Sequence, residues 1–233
     1  MDKTLIIAID GPAASGKSTV AEILAEKLNL LYLDTGAMYR AVTLAALIQL
    51  NGVADEMRVS DLSKKIKIDI QPADKRDCRM NVVLLDGVDV TRDIRSCEVN
   101  DNVSAVSAYP LVRDEMTRQQ RRIGHRGNVV MVGRDIGTIV MPDADLKFYI
   151  EASAEVRAER RHLEVSQRGG KETYDEILSS LKKRDEIDSN RIIAPLKPAE
   201  DAIIINTDHL TKDEVIDKLL NYCEQWSLEN EGI

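Results

Sequence analysis

Aromatic residues make up only 3% of this 233-residue chain, with a single Trp and a single Phe among them. Few ring faces means few platforms on which the bases of single-stranded nucleic acid stack. Basic residues are outnumbered as well: 32 Lys and Arg face 40 Asp and Glu, a formal net charge of −8. Capture of a phosphate backbone by bulk charge needs the opposite balance, so no nucleic-acid partner is expected. Three cysteines, Cys78, Cys97 and Cys223, are too few, too separated and odd in number for a disulfide framework. They read as buried small hydrophobes in a reducing compartment. His125, His162 and His209 lack metal-ligand spacing, which argues against zinc. No charged-then-apolar leader and no run of membrane-spanning length occurs, so a cytoplasmic location without a membrane partner is expected. What is present is an acidic chain with 43% hydrophobic residues, enough for one sizeable core.

The most informative stretch is Gly11-Pro12-Ala13-Ala14-Ser15-Gly16-Lys17-Ser18, followed by Thr19. The spacing Gly-x4-Gly-Lys-[Ser/Thr] builds a phosphate cradle: glycines let successive N–H groups converge on phosphate oxygens, Lys17 adds positive charge, and the Ser18 hydroxyl can coordinate Mg²⁺. The context is right for it. Leu5, Ile6, Ile7, Ala8 and Ile9 form a short apolar run suited to a strand buried on both faces. After the loop, Val20, Ile23, Leu24 and Leu28 recur at helical spacing, so a helix N-terminus points at the same anion.

Further along, residues 30–33 read as a second strand and residues 37–50 as a helix. From Lys64 the period changes, with Ile66, Ile68 and Ile70 alternating with Lys65, Lys67 and Asp69. With Asp86-Gly87 as a hairpin turn, residues 64–97 are expected to be a small antiparallel insert, distinct from the parallel core. Helical pattern resumes at about Glu98 and runs to Arg122, interrupted by Pro110, which can start a helix but not continue one. Apolar runs at 129–132, 146–150 and 202–206, separated by helical segments, imply parallel strands. Thr173 with Glu176, and Thr211 with Glu214, have capping-box spacing and mark two helix starts.

Polar clusters fall at the expected carboxyl ends of strands, where ligands bind in parallel α/β sheets. One is Asp34-Thr35-Gly36-Ala-Met-Tyr39-Arg40, another Gly133-Arg134-Asp135-Ile-Gly137-Thr138. Beyond them, Arg157, Arg160 and Arg161 share one helical face, and Arg184, Asp188 and Arg191 share another at i, i+4 and i+7. Gly169-Gly170 joins the two helices. Residues 153–191 therefore read as an arginine-rich lid able to close over phosphates, as phosphoryl transfer requires.

These segments, with Ala194-Pro195-Leu196, together resemble the bacterial cytidylate kinases over nearly the whole chain. The resemblance implies a single P-loop kinase domain over residues 1–233. Its parts would be a parallel sheet flanked by helices, the insert of 64–97 enlarging the monophosphate-binding region, and the helical lid. It implies ATP and CMP or dCMP as substrates, with Mg²⁺ accompanying ATP and held by Ser18. The loop from Gly11 to Thr19 would hold ATP phosphates, and Arg157 and Arg161 of the lid would join it. Arg40, Arg134 and Arg191 would hold the acceptor phosphate. Tyr39, Arg184 and Asp188 would face the sugar, and Ser104, Arg113 and Asp135 the cytosine. Lys17, Arg134, Arg184 and Arg191 carry the catalytic charge in this reading. Thr35 stands where some members have Ser, which preserves a hydroxyl. Convergence of Ser104 and Arg113 rests on the resemblance, since nine residues on one straight helix would place them on opposite faces.

The cytosine assignment also has chemical sense: a carboxylate accepts from the N4 amine of cytosine but repels O4 of uracil. A kinase for UMP or AMP is the nearest alternative. A nucleotide-dependent switch is opposed by the absence of an Asn-Lys-x-Asp motif, and a nucleic-acid-dependent ATPase by the charge balance. With no heptad seam, a monomer is expected.

Overall fold

The computed structural model describes residues 4–73, 81–191 and 193–230; Cys78 and Met80 of the expected insert lie outside them. Strand β1 (Ile6–Asp10) leads through the glycine-rich loop into α1 (Lys17–Leu28), and β2 (Leu31–Asp34) leads into α2 (Thr35–Leu50). Helix α3 (Glu56–Lys65) precedes three antiparallel strands, β3 (Ile68–Pro72), β4 (Asn81–Leu85) and β5 (Val88–Asp89). Then come α4 (Cys97–Val106), α5 (Pro110–Gly124) and β6 (Val129–Gly133), followed by a single π-helical turn over Ile136–Val140. The chain continues with β7 (Leu146–Glu151), α6 (Ala154–Gln167), α7 (Tyr174–Ser189), β8 (Ile203–Asn206) and α8 (Lys212–Asn230).

Five strands form one parallel sheet in the order β2-β6-β1-β7-β8. Alternation along each strand divides the core in two. Ile7, Ile9, Val130 and Val132 pack on one face with Val20 and Leu24 of α1 and Ile216 and Leu219 of α8. Ala8, Val129 and Met131 pack on the other with Met38 and Val42 of α2 and Met116 of α5. Both faces are covered, as an all-parallel sheet demands. Central β1 thus delivers the glycine-rich loop to the middle of the sheet's carboxyl edge. Gly11 is required there: its φ is +150°, and a Cβ would lie 2.0 Å from the Ile150 carbonyl oxygen.

The antiparallel segment is present but is not a separate body. Ile66, Ile68, Ile70 and Val83 join the same cluster as α2 and α5. The expected alternation from Lys64 holds in burial, yet Lys64 and Lys65 finish helix α3, which the sequence reading lacked. The signals for it are Asp55, whose side chain accepts from the Arg58 N–H, and the buried pair Val59 and Leu62 one turn apart. Helix α2 also starts at Thr35, earlier than expected, because Asp34 caps it by accepting from the Gly36 N–H at 2.9 Å. Asp86 and Gly87 both have positive φ, the type I′ geometry of a two-residue hairpin turn. Thr173 and Glu176 form a full capping box. Cys223 is buried as expected, whereas Cys97 is exposed, because it opens α4 just after the Ser96 cap rather than facing the core.

Candidate active site

Nothing caps the N-terminus of α1 with a side chain: Gly16, in the left-handed region at φ 85°, occupies the cap position. Its first N–H groups are thereby left to an anion. Lys17 at the same point is 5% exposed and donates from Nζ to the Pro12 carbonyl at 2.7 Å. Burial pushes its ammonium well below the ordinary lysine value, and nearby Arg134 adds to the effect while Asp34 opposes it. A phosphate arriving here would supply the negative charge this lysine lacks.

Beside the loop lies a cavity of about 260 Å³. Lys17 and Ser18 enter it from α1, Thr35, Tyr39 and Arg40 from α2, and Arg134 and Asp135 from the end of β6. Ser104 comes from α4, Arg113 from α5, and Arg184, Asp188 and Arg191 from α7 and the residues just past it. Six cationic side chains and three carboxylates (Asp34, Asp135 and Asp188) therefore line one cavity. Asp188 holds two of the arginines: Arg134 Nε donates to its Oδ2 at 3.1 Å, and Arg191 NH2 stands 3.4 Å from its Oδ1. That second contact is an ion pair without hydrogen-bond alignment, and Arg191 NH2 is buried with no acceptor. It is a donor waiting for an anion.

In the same cavity, Arg113 NH2 donates to Asp135 Oδ2 at 2.5 Å, with the guanidinium 5.7 Å from the centre of the Tyr39 ring. Burial raises the Asp135 proton affinity, and Arg113 counters it. The break between α4 and α5 at Pro110 brings Ser104 and Arg113 to the same cavity, which one straight helix would not do. Another cavity, of about 200 Å³, also borders the loop but shares no lining residue with the charged one. Ser15, Gly16 and Thr19 border it over an apolar floor that includes Val20, Ile150, Leu210 and Val215. The glycine-rich loop and the start of α1 thus contribute residues to both a charged cavity and a largely apolar one.

A family model described as cytidylate kinase matches residues 7–225. A cytidylate kinase of Bacillus velezensis is 46% identical over 97% of this chain and all of its own length. One from Bacillus cereus is 45% identical over 95% of this chain and 96% of its own. The chain belongs to the cytidylate kinase family. Among solved structures, a shikimate kinase from Bacteroides thetaiotaomicron aligns over 95% of this chain and 99% of its own, with 15% identity and a TM-score of 0.44.

Not every residue expected at the site lines one of these cavities. Arg157 and Arg161 line neither cavity. Arg157 is 3% exposed and spent on protein: it donates to Ala152 O and Ala13 O and forks onto Asp185 at 2.5 Å. Arg161 points outward, held by Glu164 at 2.8 Å one turn along. Arg160, between them, is the residue at the apolar cavity, fixed by bonds to Thr207. Positions i, i+3 and i+4 share a face only loosely, which is why three neighbouring arginines part company. Arg191 follows the C-cap Asn190 of α7 rather than lying on the helix. The Thr35 hydroxyl donates to Val132 O at 2.8 Å, tying α2 to β6 while lining the cavity. None of the described residues of 64–97 lines the charged cavity; that segment meets it indirectly, through Ile94 O, which accepts from Arg40 at 3.2 Å. Sequence reasoning placed Asp34 in a polar cluster at a strand end without giving it a role, although its cap position was a legible signal, and it missed Ser107 as a lining residue.

Proposed function

We propose that the chain transfers the γ-phosphoryl group of ATP to CMP, and also to dCMP, giving ADP and the corresponding diphosphate. The observation that carries this is a cavity of six cations that also holds a buried carboxylate–arginine pair and is lined by residues of the phosphate loop. The loop residues and Lys17 hold the donor phosphates, and the adenine takes the apolar cavity past Thr19, against Arg160. Arg40, Arg134 and Arg191 grip the acceptor phosphate, in planar forks that match its oxygens. Tyr39, Arg184 and Asp188 border the sugar, and Asp135, Arg113 and Ser104 read the base.

An acceptor phosphate oxygen attacks Pγ in line as the bond from Pγ to the bridging oxygen of ADP breaks. The acceptor is ionised near neutral pH, so no general base is needed. Catalysis is positioning plus charge: Lys17, Arg134, Arg184 and Arg191 surround the oxygens on which charge develops. Oxygen donors suit Mg²⁺, and the Ser18 hydroxyl and the Asp34 carboxylate, which line the same cavity as Lys17, would hold it. Among the described residues no cluster of three His, Cys, Asp or Glu could hold a metal unaided, which fits an ion that arrives with ATP. Bound there, the ion would neutralise charge on the donor phosphates.

On this reading residues 153–191 are the closing lid, and residues 64–97 support the acceptor side through Arg40. The enzyme acts as a monomer in the cytoplasm; among the described residues no helix is long and apolar enough to cross a membrane. A panel of CMP, dCMP, UMP and AMP in one coupled assay of ADP release tests it. The cytidine and deoxycytidine acceptors should exceed UMP in kcat/KM by at least about tenfold. Equal turnover of UMP, or a preference for AMP, would refute the substrate assignment.

A further inference from the structure

Asp10 is buried beside the site, lines neither cavity and takes no part in the transfer just described. It is the last residue of β1, 4% exposed, immediately before the phosphate loop. Both carboxylate oxygens are engaged. Oδ1 accepts from the Ile136 N–H at 2.9 Å and Oδ2 from the Gly137 N–H at 2.8 Å. Those amides open the π-helical turn that follows Arg134 and Asp135, a turn that has no side-chain cap from its own N-cap residue, Asp135. On the other side of the same two residues, the Asp10 backbone stands in register with Gly133 in the β1–β6 ladder. One residue therefore grips the backbone before Arg134 with its main chain and the backbone after Asp135 with its side chain.

What lies between the grips diverges. Arg134 goes to Asp188 on α7, and Asp135 to Arg113 on α5. We propose that Asp10 is a positioning residue that sets the aim of Arg134 and Asp135, and through them the affinity for the acceptor and the choice of base. This rests on the acceptor reading above. A displacement of about 1 Å in such a segment can cost on the order of a hundredfold in rate, so a two-sided anchor has large leverage. Burial raises the Asp10 carboxyl to about 6, opposed by the two amide hydrogen bonds, with Asp135 adding to the rise and Lys17 opposing it. A neutral amide at this position would keep one acceptor and turn an NH2 group toward the other N–H.

The test compares Asp10→Asn with the wild type and with Arg134→Lys. For Asp10→Asn, the KM for CMP should rise about tenfold and the CMP-to-UMP ratio of kcat/KM should fall at least about fivefold, with the KM for ATP within about twofold. If Asp10 only supported the fold, the variant would lose melting temperature and active fraction while both KM values and the base ratio stayed put; that result overturns the proposal. An equal rise in the two KM values overturns it too. Arg134→Lys separates the layers: a normal KM for CMP there would remove the acceptor reading itself. Loss in Arg134→Lys with none in Asp10→Asn would remove only the positioning role. Should Asp10→Asn fail to fold, hydrogen exchange of the wild type decides. The Ile136 and Gly137 amides should be protected in the free protein, and exchange at the rate of open amides would overturn the proposal.

Discussion

Asp135 has two demands on one carboxylate. It pairs with Arg113, whose side chain is 5% exposed, and on the proposed function it also accepts from the N4 amine of cytosine. The pair makes the sequence-based reading of Asp135 more specific, because one oxygen is already occupied and the base must meet the other. Replacement by Asn therefore does two things. It removes a charge-assisted bond to the base, worth roughly 1.5 to 3 kcal/mol, so kcat/KM for CMP should fall by about tenfold to a hundredfold. It also leaves the buried Arg113 guanidinium facing a neutral amide that keeps one acceptor but no charge, which lowers stability by roughly 1 to 3 kcal/mol. The CMP-to-UMP ratio distinguishes a base reader from a mere support for Arg113: it should shrink in Asp135→Asn, and an unchanged ratio in folded protein would eliminate the base-reading role. Residue identity made this position legible in the sequence. Arg157 and Arg161 were not legible in the same way, since spacing gives a face but not the competing partners, Asp185 and Glu164, that claim each guanidinium.

Elements supply what single residues cannot, and here the decisive ones are α6 and α7. They pack on each other through Ala158, Val165, Ile177 and Leu181, a small cluster that also takes in Ala13 of the phosphate loop. Arg157 reinforces the joint by bonding to the Ala13 carbonyl while forking onto Asp185. The position of α7, and so of Arg184 and Asp188, is thereby coupled to the backbone that would cradle ATP. Asp185→Ala should loosen the coupling by leaving Arg157 without its carboxylate. Amides of 174–189 should then exchange several-fold faster in the free protein while those of β1 and β6 keep their rates. A bisubstrate analogue should restore protection in the variant, since ligand contacts replace the lost joint. Unchanged exchange across α7 would show that Arg157 and Asp185 do not govern the lid. The helices themselves were readable from the Thr173 capping box and the glycine-rich turn. Helix α3 left a weaker signal, because two serines, Ser60 and Ser63, share its buried face with Val59 and Leu62 and thin the apolar stripe.

At the scale of the whole molecule, the sign of the charge reverses between surface and site. The chain carries −8 overall, yet the charged cavity brings six cations against three carboxylates. This contrast was only half visible in the sequence. The arginines could be placed at strand ends and on two helices, but the strand order β2-β6-β1-β7-β8, which sets those ends side by side, depends on long-range pairing that no local pattern encodes. The consequence is kinetic. A nucleoside monophosphate bears about two negative charges at neutral pH, so the global field repels it while the local field attracts it. Fields from distant surface charges are screened beyond about 10 Å at 0.1 M salt, and a concave, low-dielectric site focuses its own field. At low salt both fields act; adding salt first removes the distant repulsion and then weakens the attraction at the mouth. If the cavity dominates capture, kcat/KM for CMP should fall by about threefold to tenfold between roughly 20 and 300 mM monovalent salt, at fixed free Mg²⁺ and saturating ATP. A rise over the same range would mean that the acidic surface governs encounter and that the arginines act only after the substrate has arrived. Arg40→Gln tests the assignment further. Arg40 is partly buried by the cavity and held by Asn100 at 2.5 Å, so its removal should flatten the salt dependence as well as raise the KM for CMP. An undiminished salt dependence in that variant would place the attracting field elsewhere.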